Sequence, residues 1–321
     1  MVEAAVHGGT TGPLVAMFGF SLALAFPFAF FAAFPGYLNS LPKSGGWLNS
    51  VKVVLGFLEL ALAFKFLSNA DLVTQSHLLE REVFLAIWIV IFGLMGLYLL
   101  GKLRLPHDSP MDFVSVPRLL MGIVVLTFVV YMIPGLWGAP LKLISGFPPP
   151  MQYSESPNGV GGAMVQEHGP EGTHPGPQGI ATFHDFETAR AYARKVKKPL
   201  MVDFTGHACV NCRKMEDGVW SDTRVKELMI NDIVLVSLHV DEKTELPESE
   251  KYTSETTGKK VKTVGNKWSD FQAATYGTNS QPYYVMLDDE GYESLNGSAA
   301  YDPEIQLFID WLEEGINAYH D

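Results

Sequence analysis

The residues of this chain best suited to chemistry are its two cysteines, which lie three positions apart as Cys209 and Cys212. An apolar run at residues 199–204 predicts a strand before them, and residues 209–219 predict a helix that begins at the pair. A helix N-terminus favours a thiolate over a thiol, because its unpaired N–H groups and its dipole end are positive. A thiolate attacks disulfides, and a neighbouring thiol can then close the ring and release the product. The spacing therefore predicts a redox-active pair.

Two other roles for the cysteine pair have less support. A structural zinc site needs four ligands, and the sequence offers no second CxxC and no suitably spaced histidine pair to complete one. A purely structural disulfide across so short a loop would remove little entropy from the unfolded chain. We therefore expect no metal, and no cofactor beyond a redox-active Cys209–Cys212 disulfide.

The sequence around and after the cysteines predicts an α/β domain of ordinary size at residues 181–321. Helices are predicted at residues 186–197, 209–219, 268–276 and 303–319, and strands at 200–204, 233–240, 283–287 and 293–296. Residues 288–291, Asp-Asp-Glu-Gly, predict the turn of a hairpin between the last two strands. This order of elements predicts a mixed sheet with helices on both faces.

Four apolar runs before this domain predict an α-helical membrane bundle, with residues 1–144 as a transmembrane domain. The predicted spans are about 13–34, 51–67, 83–100 and 119–137. A bilayer crossing needs about 20 apolar residues, and two of the runs contain no charge over 18 residues. The alternative, a soluble all-helical core, fits such charge-free runs less well.

Basic residues in the loops predict the orientation of these spans. The loops after the first and third spans hold Lys43, Lys52, Lys102, Arg104 and Arg118. By the positive-inside rule these loops are cytoplasmic, so both termini and the cysteine pair lie on the opposite side. Thiol–disulfide chemistry has substrates there.

The region between the two domains, residues 145–180, is rich in Pro, Gly and Ser and predicts a mobile linker. His168 and His174 lie in it and are interpreted as solvated. Nearly all of the net charge of −12 belongs to residues after 144. So acidic a domain gives no electrostatic reason to bind nucleic acid or anionic lipid.

Residues 181–321 resemble a thioredoxin fold, on the strength of Val202-Asp-Phe204 before the CxxC and Gln281-Pro282 before a later strand. The resemblance implies that Pro282 is cis and that, with Gln281, it lines the substrate groove. It also implies that Asp203 is a buried carboxyl group beneath Cys212, able to take that thiol's proton.

Two further residues near the pair each have a functional and a simpler interpretation, and the sequence favours neither. Glu216 follows Cys212 by one helical turn and either shares the acid–base role or lies on a solvated face. His207 either lowers the pKa of the Cys209 thiol and contacts substrate, or is simply exposed.

The longer pattern resembles the DsbD family of bacterial thiol–disulfide interchange proteins. It is carried by FTGHACVNCRKME at residues 204–216, together with LPKSGGW at 41–47 and VKVVLGF at 51–57. The resemblance implies the last four spans plus a periplasmic thioredoxin-like domain, in the bacterial inner membrane. Because the spans hold no cysteine, we expect this chain to be a C-terminal fragment or half of a split system, whose partner carries a membrane cysteine pair.

We therefore predict a membrane-anchored protein-disulfide reductase module. Cys209 would be the nucleophile and Cys212 the resolving thiol. Its partners would be envelope thiol–disulfide proteins, in support of disulfide isomerisation and cytochrome c maturation. A disulfide oxidant or isomerase, and a non-redox membrane scaffold for a partner complex, are the alternatives. Glu59, within a predicted span, and the charged insertion at residues 241–267 are left without a firm role.

Overall fold

The computed structural model describes residues 11–33, 47–106, 108, 113–156, 169–288 and 290–320. Most of the LPKSGGW motif, Lys43, His168 and Asp289 lie outside these residues. The described α-helices are α1 (Thr11–Ala33), α2 (Trp47–Thr74), α3 (Arg81–Leu99), α4 (Val116–Met132), α5 (Phe186–Val196), α6 (Val210–Gly218), α7 (Thr223–Asn231), α8 (Val264–Tyr276) and α9 (Ile305–His320). The strands are β1 (His174–Pro175), β2 (Ala181–Phe183), β3 (Leu200–Thr205), β4 (Val234–His239), β5 (Tyr252–Thr253), β6 (Lys260–Val261), β7 (Tyr283–Leu287) and β8 (Ser298–Ala300).

The predicted mixed sheet is confirmed. Six strands pair in the order β1-β2-β4-β3-β7-β8. Strands β2, β4 and β3 are parallel, whereas β1, β7 and β8 join their neighbours antiparallel. In the centre, Asp203 of β3 lies opposite Ser237 of β4 on one side and Tyr284 of β7 on the other. The β3 side chains are buried throughout, as expected for a parallel strand covered on both faces.

Helices cover both faces of the sheet and form two separate cores. On one face, α6, α7 and α9 pack around Trp220, Tyr284 and Leu312. On the other, α5 and α8 pack around Phe204 and Val236. Because side chains alternate along a strand, successive residues of β3 and β4 point into the two different cores.

Three features differ from the sequence-based expectation. The second strand of the hairpin is β8 at 298–300 rather than 293–296, because the turn continues to Gly297, whose φ of 78° reverses the chain. Helix α7 was not predicted, although Asp222 caps it by accepting from the Arg224 N–H. The sheet also begins inside the predicted linker, since His174 of β1 pairs with Thr182.

The N-terminal helices support membrane insertion only in part. Among the described residues, two helices, Arg81–Leu99 and Val116–Trp137, are long and apolar enough to cross a membrane by length and composition. Two such helices are weak evidence, because core helices of soluble proteins pass the same test. The predicted spans within α1 and α2 remain predictions. Glu59 lies on an exposed face of α2.

The core beside α9 gives a direct test of the fold. Leu312 is completely buried between α9 and the sheet, whereas Leu307 of the same helix is 56% exposed. We expect Leu312→Ala to lower the free energy of unfolding by about 3 kcal/mol, because it leaves a cavity. Leu307→Ala, the matched control, should change it by less than about 0.5 kcal/mol. Pulse proteolysis of the detergent-solubilised chain in urea measures both, and equal effects would contradict this packing.

Candidate functional site

The two cysteines form a disulfide at the N-terminus of α6, with their Cα atoms 5.3 Å apart. Cys209 is the N-cap residue of α6, and its Sγ accepts a hydrogen bond from the Cys212 N–H at 3.2 Å. Cys209 is half-buried, whereas Cys212 is only 1% exposed. A second protein can therefore reach the first sulfur but not the second.

An acidic pair after β4 fixes the loop that leads into the disulfide. The Asp241 carboxylate accepts hydrogen bonds from the backbone N–H groups of His207 (2.8 Å) and Ala208 (3.0 Å). The Glu242 carboxylate binds Nε2 of His207 at 2.8 Å. The start of the charged insertion at 241–267 is thus part of the site. Its middle forms the β5–β6 hairpin.

Asp203 is a buried carboxyl group at the centre of the sheet, 2% exposed. Its Oδ2 accepts a hydrogen bond from Ser237 Oγ at 2.9 Å, and its Oδ1 has no hydrogen-bond partner among the described residues. Burial raises the pKa of Asp203 to about 7, against the opposing effects of the Ser237 hydrogen bond and of Arg213. This carboxyl group can therefore gain and lose a proton near neutral pH.

Glu216 is the second buried carboxyl group, 5% exposed on α6. It forms an ion pair with Arg213 at 2.7 Å, one turn back along the helix. Burial raises the pKa of Glu216 to about 8, and the Asp203 and Asp217 charges raise it further, while Arg213 lowers it. Of the two interpretations of Glu216, the solvated face is therefore wrong, because the side chain is buried. Two protonatable carboxyl groups and one guanidinium share the region behind the disulfide.

The Gln281–Pro282 peptide bond is cis, as the resemblance implied. Pro282 is buried. The Gln281 side-chain amide donates to Gln272 Oε1 (3.0 Å) and to Asn279 Oδ1 (3.2 Å), so it is held against α8. The contribution of Gln281 to a substrate groove therefore remains a prediction.

Two further histidines, His184 and His239, lie beside the site on neighbouring strands, and the sequence did not point to them. The ring of His207 stacks on that of His239, 4.1 Å between centroids. Together with its Glu242 partner, this contact makes His207 part of a packed group rather than a simply exposed side chain. The signal in the sequence was weak: His239 and His184 each stand at the end of a buried strand.

The disulfide end of the domain contacts the segment that follows α4. A Cβ atom added to Gly146 would lie 2.5 Å from Cγ1 of Val210, so the two residues touch. The Lys142 ammonium donates to Ser221 Oγ at 3.2 Å. A cavity of about 280 Å³ lies between residues of both parts of the chain, including Pro150 and Tyr153 on one side and Arg213 and Glu216 on the other. Helix α6 therefore faces the segment that follows α4.

The fold and site define a thioredoxin-like domain with an oxidised CxxC pair, and residues 181–288 match the family model described as thioredoxin-like. The chain is similar to DsbD thiol:disulfide interchange proteins. It is 28% identical over 221 residues to thiol:disulfide interchange protein DsbD 1 of Pseudomonas aeruginosa, covering 68% of this chain and 33% of that protein. It is 25% identical over 218 residues to DsbD of Pseudoalteromonas atlantica, covering 68% and 31%. The resemblance to the DsbD family is thus confirmed, and the chain spans about a third of the length of these curated relatives.

The buried carboxyl groups predict a pH dependence of stability. A carboxyl group with a raised pKa keeps its proton in the folded protein while the unfolded chain loses it, so the free energy of unfolding falls as pH rises from about 4 to about 8. Asp203→Asn and Glu216→Gln should each make this slope less negative, by up to about 1.4 kcal/mol per pH unit. Urea unfolding at pH 5 and pH 8 measures the change. A slope identical to that of the unsubstituted protein would contradict the assignment.

Proposed function

We propose that this chain is a membrane-anchored thiol–disulfide reductase module that passes electrons to disulfides of envelope proteins. The observation that carries the proposal is the asymmetry of the disulfide. A reachable Cys209 precedes a buried Cys212, and buried carboxyl groups with pKa values near neutral lie behind them. The DsbD relatives are named for the same class of reaction.

In the reduced protein, the Cys209 thiolate attacks one sulfur of a substrate disulfide, and a mixed disulfide forms as the first substrate thiolate leaves. The Cys212 thiol then loses its proton to Asp203 or Glu216, and its thiolate attacks Cys209 Sγ. The ring disulfide forms, and the second substrate thiolate departs. A dithiol donor restores the reduced state. Asp203 and Glu216 suit the proton transfer because a general base is most effective when its pKa is close to the working pH.

The direction of electron flow is proposed from what lies between the cysteines. Val210 and Asn211 carry no charge, so nothing there stabilises the Cys209 thiolate strongly enough to make the disulfide a strong oxidant. The oxidant and isomerase alternatives therefore have no specific support.

The anchor is proposed to be the predicted four-span bundle at residues 1–144. Apolar side chains on the outer face of α4 support it, including Val116 (67% exposed), Val124 (62%) and Val130 (63%), because such surface is unfavourable in water. The loop charges support the further proposal that the membrane is the bacterial inner membrane and that the thioredoxin-like domain lies in the periplasm. Envelope thiol–disulfide proteins, including those of cytochrome c maturation, are the proposed substrates. A membrane redox half that carries a further cysteine pair is the proposed donor.

Cysteine substitutions test the proposed reaction. Cys209→Ser should abolish reduction of a protein disulfide by the pre-reduced chain, because no other sulfur is reachable. Cys212→Ser should instead accumulate a mixed disulfide with the substrate, since the resolving thiol is lost. Non-reducing gels and thiol counting distinguish the two. Full activity in Cys209→Ser would favour the scaffold alternative.

Removal of the Asp203 carboxylate should slow only ring closure, the step in which the Cys212 thiolate attacks Cys209 Sγ. We expect Asp203→Asn to reduce the rate of ring closure about 100-fold, within the range typical of general bases. Asp222→Asn is the control, because Asp222 caps α7 at the surface. Rapid acid quenching followed by mass spectrometry measures the lifetime of the mixed disulfide. Equal lifetimes in the two variants would remove Asp203 from the mechanism.

The proposed topology can be tested by labelling single cysteines introduced into the Cys209→Ser/Cys212→Ser background. Ser76 and Lys102 are both exposed and flank α3 at opposite ends. A membrane-impermeant maleimide applied to intact cells should label Ser76→Cys and leave Lys102→Cys unlabelled until the cells are opened. The reverse pattern would invert the predicted orientation.

A further inference from the structure

Four of the nine histidines form a continuous row beside the disulfide. Its members, in spatial order, are His174, His184, His239 and His207. Successive ring centroids are 5.3, 5.4 and 4.1 Å apart. We refer to these residues as the histidine row.

The sheet topology produces this row. The strand order β1-β2-β4-β3 matches the order of the histidines. His174 lies on β1, His184 follows β2, His239 ends β4, and His207 lies two residues after β3. Adjacent strands are about 4.8 Å apart, so one imidazole per strand at the same edge gives rings at about that spacing.

The row borders the cavity described above. The four histidines line it together with Thr205, Arg213, Glu216 and Ser237. Its volume of about 280 Å³ has room for several water molecules, and the polar side chains that line it can hydrogen-bond to them. Both buried carboxyl groups connect to this space: Glu216 lines it directly, and Asp203 accepts a hydrogen bond from Ser237, which also lines it.

The two middle histidines of the row, His184 and His239, favour the neutral form. Desolvation lowers the pKa of His184, and the charges of His174 and His207 lower it further, while Ser237 and Glu242 oppose the shift. Desolvation likewise lowers the pKa of His239 well below its usual range, and His207, His184 and Arg213 lower it further. Asp241 and Glu242 face the row from the segment after β4, and His77 faces the cavity from the turn after α2. Burial and the neighbouring charges therefore favour the neutral forms of His184 and His239, and a proton on one of these rings opposes the entry of a second.

A buried base needs an outlet for the proton that it accepts. Asp203 is surrounded by the sheet and the two cores, and its Ser237 partner is buried as well. A neutral imidazole can take a proton on one nitrogen and release one from the other. The row ends at an exposed His174 on one side and at the half-buried His207–Glu242 pair on the other, so both ends lead towards solvent.

We propose that the histidine row, through water in the adjoining cavity, conducts the proton of Cys212 from Asp203 and Glu216 to solvent during ring closure. The inference rests on the proposed reductase function. The Cys212 proton passes to a carboxylate, the Cys212 thiolate forms the S–S bond with Cys209, and the substrate sulfur leaves with its electron pair. The proton then moves along His239 and His184 to solvent, where the leaving thiolate can take it up. His184 and His239 are thus positioning and relay residues rather than catalytic ones.

The test uses the reduced full-length chain in detergent, with glutathione disulfide as the probe. His184→Gln and His239→Gln remove the relay while keeping a neutral polar side chain. His184 is exposed towards the cavity, so its substitution is compatible with folding. His320→Gln, at the end of α9 and outside the row, is the matched control. Rapid quenching at pH 7 measures the rate of ring closure, and equilibration with glutathione measures the equilibrium constant.

We expect both row variants to close the ring at least about tenfold more slowly than the control, and added imidazole to restore much of the rate. The equilibrium constant should stay within about twofold, because a relay changes rates and not end states. Closure at the control rate in both variants would overturn the relay. Slower closure without imidazole rescue and with a matching change in the equilibrium constant would also overturn it, since the histidines would then tune disulfide stability. If the unsubstituted chain failed to react with any disulfide, the proposed function itself would fail.

Discussion

The parallel pairing of β2, β4 and β3 is the constraint on which the rest of the site depends. Parallel strands end at the same edge of a sheet, so the loops that follow them meet there. One of these loops carries the disulfide, the next carries Asp241 and Glu242, and the third carries His184. The carboxylates of the second loop hold the first in place through its backbone N–H groups. Without that register, Cys209 would have no fixed position at the N-terminus of α6.

A second constraint follows from burying three ionisable groups behind the disulfide. The Arg213 guanidinium forms an ion pair with Glu216, and its charge also acts on Asp203; the protein removes both carboxyl groups from water. A single positive charge cannot compensate two buried negative charges, and the desolvation of an unpaired ion costs several kcal/mol. At neutral pH the pair therefore retains a proton, and its titration belongs to the two groups jointly. A site that must accept and return one proton in each cycle benefits from this arrangement.

The sequence predicted the local features of this site and missed those that depend on strand order. The strand at 200–204 and the helix that begins at the cysteines follow from short patterns around one motif, and the resemblance to thioredoxins implied the burial of Asp203. By contrast, His184 and His239 are more than 50 residues apart, and neither has a neighbour in sequence that suggests its role. They meet only because β4 is inserted between β2 and β3. Strand β1 was not predicted, because it has only two residues and so short a strand has no periodicity to detect. It also lies in a Pro- and Gly-rich stretch, which predicted a linker.

The contact between α6 and the segment that follows α4 has the character of a reversible interface. Among the described residues, Val210 packs against Gly146 there, and Lys142 donates an exposed hydrogen bond to Ser221. Two cavities of about 280 and 360 Å³ open along it, whereas tightly packed protein contacts leave few such voids. An exposed hydrogen bond contributes about 1 kcal/mol or less, so most of the tendency to dock comes from the covalent connection, which keeps the local concentration high. A weak contact held by a tether suits the proposed reductase function, in which the disulfide would meet a donor on one side and a substrate on the other, because strong binding to either would slow the exchange between them.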